Sequence, residues 1–175
     1  MNTKLTITIA LILAAVVLLA LFARKSVQTE LTIEAAPEDV WAVLIDPTSY
    51  AEWNPILVAV EGTFEEGATM AVDMRNPDGS ITAMTPRVKE LLPGSKLNQF
   101  GGIPGVLTYD HTWSLESVDG GTRVLQFEEY RGIGVLFWNP ASVEAAYNEA
   151  NTNLKALFDE AQSEDSVHGV DQQPD

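Results

Sequence analysis

NPASVEAAYNEANTNLKALFDEA, Asn139 to Ala161, decides the fold. Asn139 has an N-cap side chain, and Pro140 stands where a first-turn proline is tolerated. Val143, Tyr147, Ala150, Leu154, Leu157, Phe158 and Ala161 recur at helical spacing, while Glu144, Asn148, Glu149, Asn153, Lys155 and Asp159 mostly fill the other side. The reading is one helix over Asn139–Ala161, about 33 Å long, with a single apolar stripe. A lone helix cannot bury its own stripe, and the chain before it is mostly strand. The expected class is α+β: a curved antiparallel sheet holding one long C-terminal helix.

The hairpin upstream carries the most register information. Val106 to Val118 and Gly121 to Arg131 flank Asp119-Gly120, a strong two-residue turn signal. That turn pairs Tyr109 with Tyr130, His111 with Glu128, Trp113 with Gln126 and Leu115 with Val124. Strand side chains alternate, so these eight share one face, taken as the inner one for its aromatic area. Glu116 and Arg123 pair on the other face. A loop that also took in Gly121 would set His111 opposite Glu129 instead.

Toward the N-terminus, Ser26 to Ile33 alternates as a strand. Pro37-Glu38-Asp39 opens a helix whose inner face is Val40, Trp41, Leu44 and Ile45, and Asp46-Pro47 ends it. A short helix over Thr48–Trp53 stops at Asn54-Pro55. Strands follow over Ile56–Phe64, Thr69–Arg75, Ile81–Leu92 and Lys96–Phe100. Pro86 marks an edge or a bulge in the third of these. Gly101 to Gly105 is rich in breakers and reads as a mobile loop, without the spacing or following helix of a phosphate-binding loop. The link Ile133–Trp138 is strongly apolar and suits core, gate or bilayer contact.

At the start, Leu5 to Phe22 is an 18-residue charge-free run interrupted only by Thr6 and Thr8. That is just long enough to cross a hydrocarbon core. A cleaved signal would want small residues before the cut, and Leu21 stands at −3 from Ala23, so an uncleaved anchor fits better. A buried core helix is the alternative. Lys4 on one side and Arg24 and Lys25 on the other nearly balance the positive-inside rule. Its N-terminal position favours the domain on the extracytoplasmic side of a single-pass membrane protein. The expected organisation is residues 1–25 as transmembrane anchor or uncleaved signal, 26–162 as the folded domain, and 163–175 as a disordered acidic tail.

The net charge of −15 argues against nucleic acid, because phosphate contacts need clustered Lys and Arg. Cysteine is absent, which removes disulfides, thiolate chemistry and Cys metal sites. With only His111 and His168 as imidazoles, no metal and no cofactor are expected.

The order strand, two short helices, antiparallel strands, long helix joins the stretches Ala36-Pro37-Glu38-Asp39-Val40-Trp41, Trp53-Asn54-Pro55, His111-Thr112-Trp113 and Glu128 to Gly132. Together they resemble the START-like superfamily (SRPBCC), in its polyketide cyclase/dehydrase-like branch, over roughly residues 27–160. The resemblance implies a helix-grip fold with a deep hydrophobic cavity between sheet and long helix. It implies partners among lipids, sterols, polyketides and other apolar molecules. A minority of members catalyse cyclisation or dehydration.

Candidate ligand-binding residues are Trp53, Met70, Met74, Met84, Phe100, Tyr109, His111, Trp113, Gln126, Glu128, Tyr130, Tyr147 and Leu154, since pockets need apolar walls with a few polar groups. Composition cannot separate a filled core from a hollow one; only the resemblance favours a cavity. Trp53 also suits a core cap, with Asn54-Pro55 setting the turn. His111 and Glu128 are the candidate catalytic pair, the histidine as general base, with Tyr109 or Tyr130 stabilising an oxyanion. A hydrogen-bonded polar pair in an apolar lining is the structural alternative. The leading expectation is a membrane-held binder of an apolar small molecule or lipid. An enzyme of cyclase, dehydratase or hydrolase type is the second, and an assembly role is the third.

Overall fold

The Asp119-Gly120 turn and the alternation around it set the middle of the sheet. The computed structural model describes residues 3–137 and 139–169. Its helices are α1 (Thr3–Phe22), α2 (Pro37–Leu44), α3 (Tyr50–Trp53) and α4 (Ala141–Gly169), with a 3-10 turn over Ile133–Phe137. Its strands are β1 (Arg24–Ile33), β2 (Leu57–Glu61), β3 (Ala71–Arg75), β4 (Ile81–Met84), β5 (Arg87–Leu92), β6 (Lys96–Ile103), β7 (Leu107–Val118) and β8 (Gly121–Arg131). All pairings are antiparallel, in a five-stranded sheet ordered β1-β8-β7-β6-β5 and a three-stranded sheet ordered β2-β3-β4.

The hairpin register is the one its turn dictates: Tyr109 opposite Tyr130, His111 opposite Glu128, Trp113 opposite Gln126, Leu115 opposite Val124. Trp113, Leu115, Val124, Gln126 and Glu128 are buried, so the aromatic-rich face is the inner one. On the outer face Arg123 and Glu116 form an ion pair.

The expected strand Ile81–Leu92 is broken in two. Pro86 has no N–H for a ladder and sits between β4 and β5. The sheets are laced at that break by Met70 N–H to Pro86 O at 2.8 Å and Val88 N–H to Ala68 O at 2.9 Å. The mobile loop expected at Gly101 to Gly105 is mostly strand, because β6 runs on to Ile103. Close backbone approach explains Gly102. Gly102 has φ +96°, and a Cβ on it would lie 2.3 Å from Leu107 O.

The helix-grip architecture follows, α4 lying along the sheet and touching β1 and α3. Asn139 caps it, Oδ1 accepting from Ala141 N–H at 3.1 Å. The core between helix and sheet includes Ile33, Val40, Leu44, Val88, Leu97, Val124 and Leu154, all fully buried. The expected helix end at Ala161 is exceeded, since α4 continues to Gly169. Within the expected tail, residues 163–169 are thus helical, and residues 170–175 lie outside the described residues, as does Trp138 of the apolar link. In that link Val135 is buried, while Phe137 is 87% exposed.

The expected membrane anchor is corrected. Among the described residues no helix is long and apolar enough to cross a membrane. The helix α1 includes Lys4, with Thr6 and Thr8 in its early turns, and Thr8 Oγ1 donates to Lys4 O at 3.0 Å. Its uninterrupted apolar run is therefore Ile9 to Phe22, a rise of about 21 Å against the ~30 Å of a hydrocarbon core. The single-pass location and the extracytoplasmic placement fall with the anchor. The C-terminal end of α1 touches the 3-10 turn and β8, and Ala23 leads directly into β1.

Candidate ligand-binding site

The inner face of the sheet and α4 do not meet everywhere. Between them, closed on a third side by β2, β3 and the segment after α3, lies a cavity of about 250 Å³. One part of its wall is aliphatic and thioether: Leu57, Val60, Val72, Met74, Met84 and Val143. The other part is a polar and aromatic cluster from β6, β7, β8 and α4: Gln99, Tyr109, His111, Trp113, Gln126, Glu128, Tyr130 and Tyr147.

Nine of the sequence-predicted residues meet here: Met74, Met84, Tyr109, His111, Trp113, Gln126, Glu128, Tyr130 and Tyr147. Four do not. Trp53 is packed in the core, its ring edge-on to Trp113 at 6.2 Å. Met70 and Leu154 are core residues. Phe100 is 41% exposed and opposite Asp110 on the outer face, because alternation along β6 sends Gln99 inward instead. Gln99 pairs with His111. Its inward place follows from the β6–β7 register, which no turn recognised in the sequence marks. Asn54 also lines the cavity and holds the turn before β2, its Oδ1 accepting from Ile56 N–H at 3.0 Å and Leu57 N–H at 2.9 Å.

Glu128 is buried, and one of its oxygens, Oε2, accepts from the phenols of both Tyr130 and Tyr147. Burial pushes its carboxyl up to about 7, and the two phenols, which favour the charged form, pull the other way. Burial pushes Tyr109 up to about 12, with the nearby Glu128 charge adding to it, and it raises Tyr130 and Tyr147 as well.

His111 is governed by a different chain of bonds. Asn151 Nδ2 donates to Thr29 Oγ1 at 2.9 Å, and Thr29 Oγ1 donates to Gln126 Oε1 at 3.4 Å. Gln126 is left with its amide hydrogens toward His111 Nε2 at 3.0 Å. The network therefore assigns Nε2 as acceptor and the proton to Nδ1. Burial lowers His111 to about 4, so it is neutral near pH 7. Its ring stands edge-on to Trp113 at 5.5 Å and to Tyr147 at 5.7 Å.

Tyr109 reaches across the neighbouring strand. A Cβ on its partner Gly101 would lie 2.5 Å from the phenol oxygen, so the bare glycine gives the ring its place. No cluster of metal-binding side chains occurs among the described residues.

This arrangement can bury a compact apolar body and offer it one carboxyl group, phenols and a neutral imidazole. Residues 24–159 match the family model described as polyketide cyclase / dehydrase and lipid transport. The chain belongs to that family. No curated protein matches it.

Solved structures share the family fold at low identity. A Rhodobacter sphaeroides protein is 18% identical at a TM-score of 0.67, with 78% of this chain and 93% of that one covered. A Chromobacterium violaceum protein is 20% identical at a TM-score of 0.65, with 76% of this chain and 96% of that one covered. The di-domain ARO/CYC StfQ from the steffimycin biosynthetic pathway is 14% identical at a TM-score of 0.65, with 80% of this chain and 52% of that one covered. Identities this low speak for fold alone.

Proposed function

We propose that this family member binds a compact, largely apolar small molecule in the cavity between sheet and α4. The observation that carries the reading is the cavity itself, about 250 Å³ of space walled by aliphatic side chains at one part and by a small polar cluster at the other. Apolar burial supplies the affinity and a few polar groups fix orientation. The volume lies just below the roughly 300–1,000 Å³ of common ligand pockets, which favours a small molecule over a bulky lipid. The ligand-binding residues are the nine that meet there, with Gln99 and Asn54 added.

Native mass spectrometry of the full chain, purified without detergent from its source cell, tests this. The expected result is a discrete added mass that leaves on denaturation. A bare chain that also fails to bind small apolar fluorophores would sink the proposal.

Chemistry in the same cavity is a second reading, favoured by one observation. Glu128 is a buried carboxyl group held by two phenols, and burial pushes it up to about 7, where a general acid or base works best. In this reading Glu128 carries the proton and Tyr130 and Tyr147 position it. His111, at about 4 and bonded to Gln126, is a weak base. Replacement of Glu128 by Gln would abolish turnover, and His111→Gln would reduce it far less. Equal losses from the two would return the role to His111.

A further inference from the structure

The cavity holds a buried carboxyl group with nothing cationic to answer it. No Lys or Arg is among the lining residues, and the one imidazole there is neutral near pH 7. Both phenols that reach Glu128 meet Oε2. Oε1 then has no hydrogen-bond partner among the described residues. It is not sealed off either, since Asn151 Oδ1 is the one buried side-chain atom among them that is both sealed and unpartnered. Oε1 therefore opens on the cavity.

The rings of Tyr109, Trp113, Tyr130 and Tyr147 line the same cavity, and the hydroxyls of the last two already reach the carboxyl group. Aromatic rings beside a carboxylate suit a cation, which gains from the charge and from the π-faces together. The chain's net charge of −15 adds a field that draws cations toward it.

Resting on the proposal of a small-molecule cavity, we infer that its occupant is a compact apolar molecule carrying a protonated amine, with the ammonium on Glu128 Oε1 and the apolar body against the wall of Met74, Met84 and Val143. The two phenol donors already favour the ionised carboxylate, and an ammonium favours it further. A neutral hydroxyl would donate to the carboxylate and a carbonyl would need the protonated acid; neither brings a positive charge to the site.

Glu128 is faced by Tyr109, His111 and, through the sheet, Asp110 from β7; by Gln126 and Tyr130 from β8; by Val27 from β1; and by Tyr147 from α4. None of these supplies a positive charge near pH 7. Glu128 takes up a proton as the pH falls below about 7, so the amine preference fades there.

The experiment uses the full chain and three probes of one shape: 2-naphthylmethylamine, 2-naphthylmethanol and 2-naphthoic acid. Titration calorimetry at about pH 8 should give the amine a Kd about tenfold or more below the alcohol, with the acid weakest. Near pH 5.5 the gap between amine and alcohol should shrink. Glu128→Gln, checked for fold by its near-ultraviolet circular dichroism, should bring the two within about threefold, chiefly by weakening the amine. An alcohol that binds wild type as tightly as the amine overturns the inference and leaves the cavity proposal standing. So does an amine preference that survives Glu128→Gln. Failure of all three probes overturns both.

Discussion

His111 and Glu128 face each other across β7 and β8, yet each gives its hydrogen bonds to other residues. His111 Nε2 meets Gln126, while Glu128 accepts from Tyr130 and Tyr147. The two groups are thus tuned separately, and in opposite directions, by the same burial.

That opposition predicts a pH signature in stability. Folding raises Glu128 from 4.5 to about 7, so the folded state holds the extra proton and this group's stabilisation is lost as the pH rises through that window. Folding lowers His111 from 6.5 to about 4, so its contribution is lost as the pH falls through that window. The slopes oppose each other where the windows overlap. Urea unfolding of Glu128→Gln should show a gain over wild type that grows as pH rises from about 5 to about 7.5, reaching ~1–3 kcal/mol. His111→Gln should show a gain over wild type that grows in the acid direction. Flat differences in both variants would mean that neither group is buried as described.

Tyr147 gives its hydroxyl to Glu128 from a different element than Tyr130 does. Tyr147→Phe removes a donor that favours the carboxylate. The Glu128 carboxyl should then titrate higher, by about half a unit or more, in a carbon-detected NMR titration, with a stability loss of ~1–2 kcal/mol above neutrality. A Glu128 titration unmoved by this change would separate the two side chains.

Gly101 is the floor under the Tyr109 ring. Gly101→Val should push that ring toward the cavity and weaken any apolar probe by about tenfold, at a stability cost of ~1–3 kcal/mol. Tyr109→Ala on the Gly101→Val background should restore part of the binding, because the displaced ring is gone. Double-variant affinities no better than the single would argue against this route.

Core and cavity should separate under truncation. Leu154 is fully buried among core residues, and Leu154→Ala should cost ~2–5 kcal/mol. Met84 borders open space, so Met84→Ala should cost nearer ~1 kcal/mol while changing probe affinity more than Leu154→Ala does. Denaturant midpoints and probe titrations on the two variants check the contrast.

The parts of the fold written in local chemistry were readable. The Asp119-Gly120 turn sets a register that carries six of the cavity's polar and aromatic residues, and Asn139 marks the start of α4. Residues without such a nearby marker were misplaced. Phe100 reads as a lining aromatic by residue type, but no recognised turn carries the hairpin register to β6, and alternation along that strand turns the ring outward. Trp53, Met70 and Leu154 are as apolar as true lining residues, and only packing in three dimensions separates core from wall. The apolar run at the N-terminus fitted the composition of a span, but Lys4 and the early threonines shorten it.

The edge strand β1 pairs with β8, with Arg24 opposite Arg131. On a ribosome the first strand emerges and then waits for the last, which follows some hundred residues later, about 5–20 s at ordinary translation speeds. Throughout that interval the inner edge of β1 has no native partner to cover it. The sheet is then completed late, by its most distant contact, which makes folding slow for a chain of this size and a nascent-chain chaperone a sensible companion during synthesis.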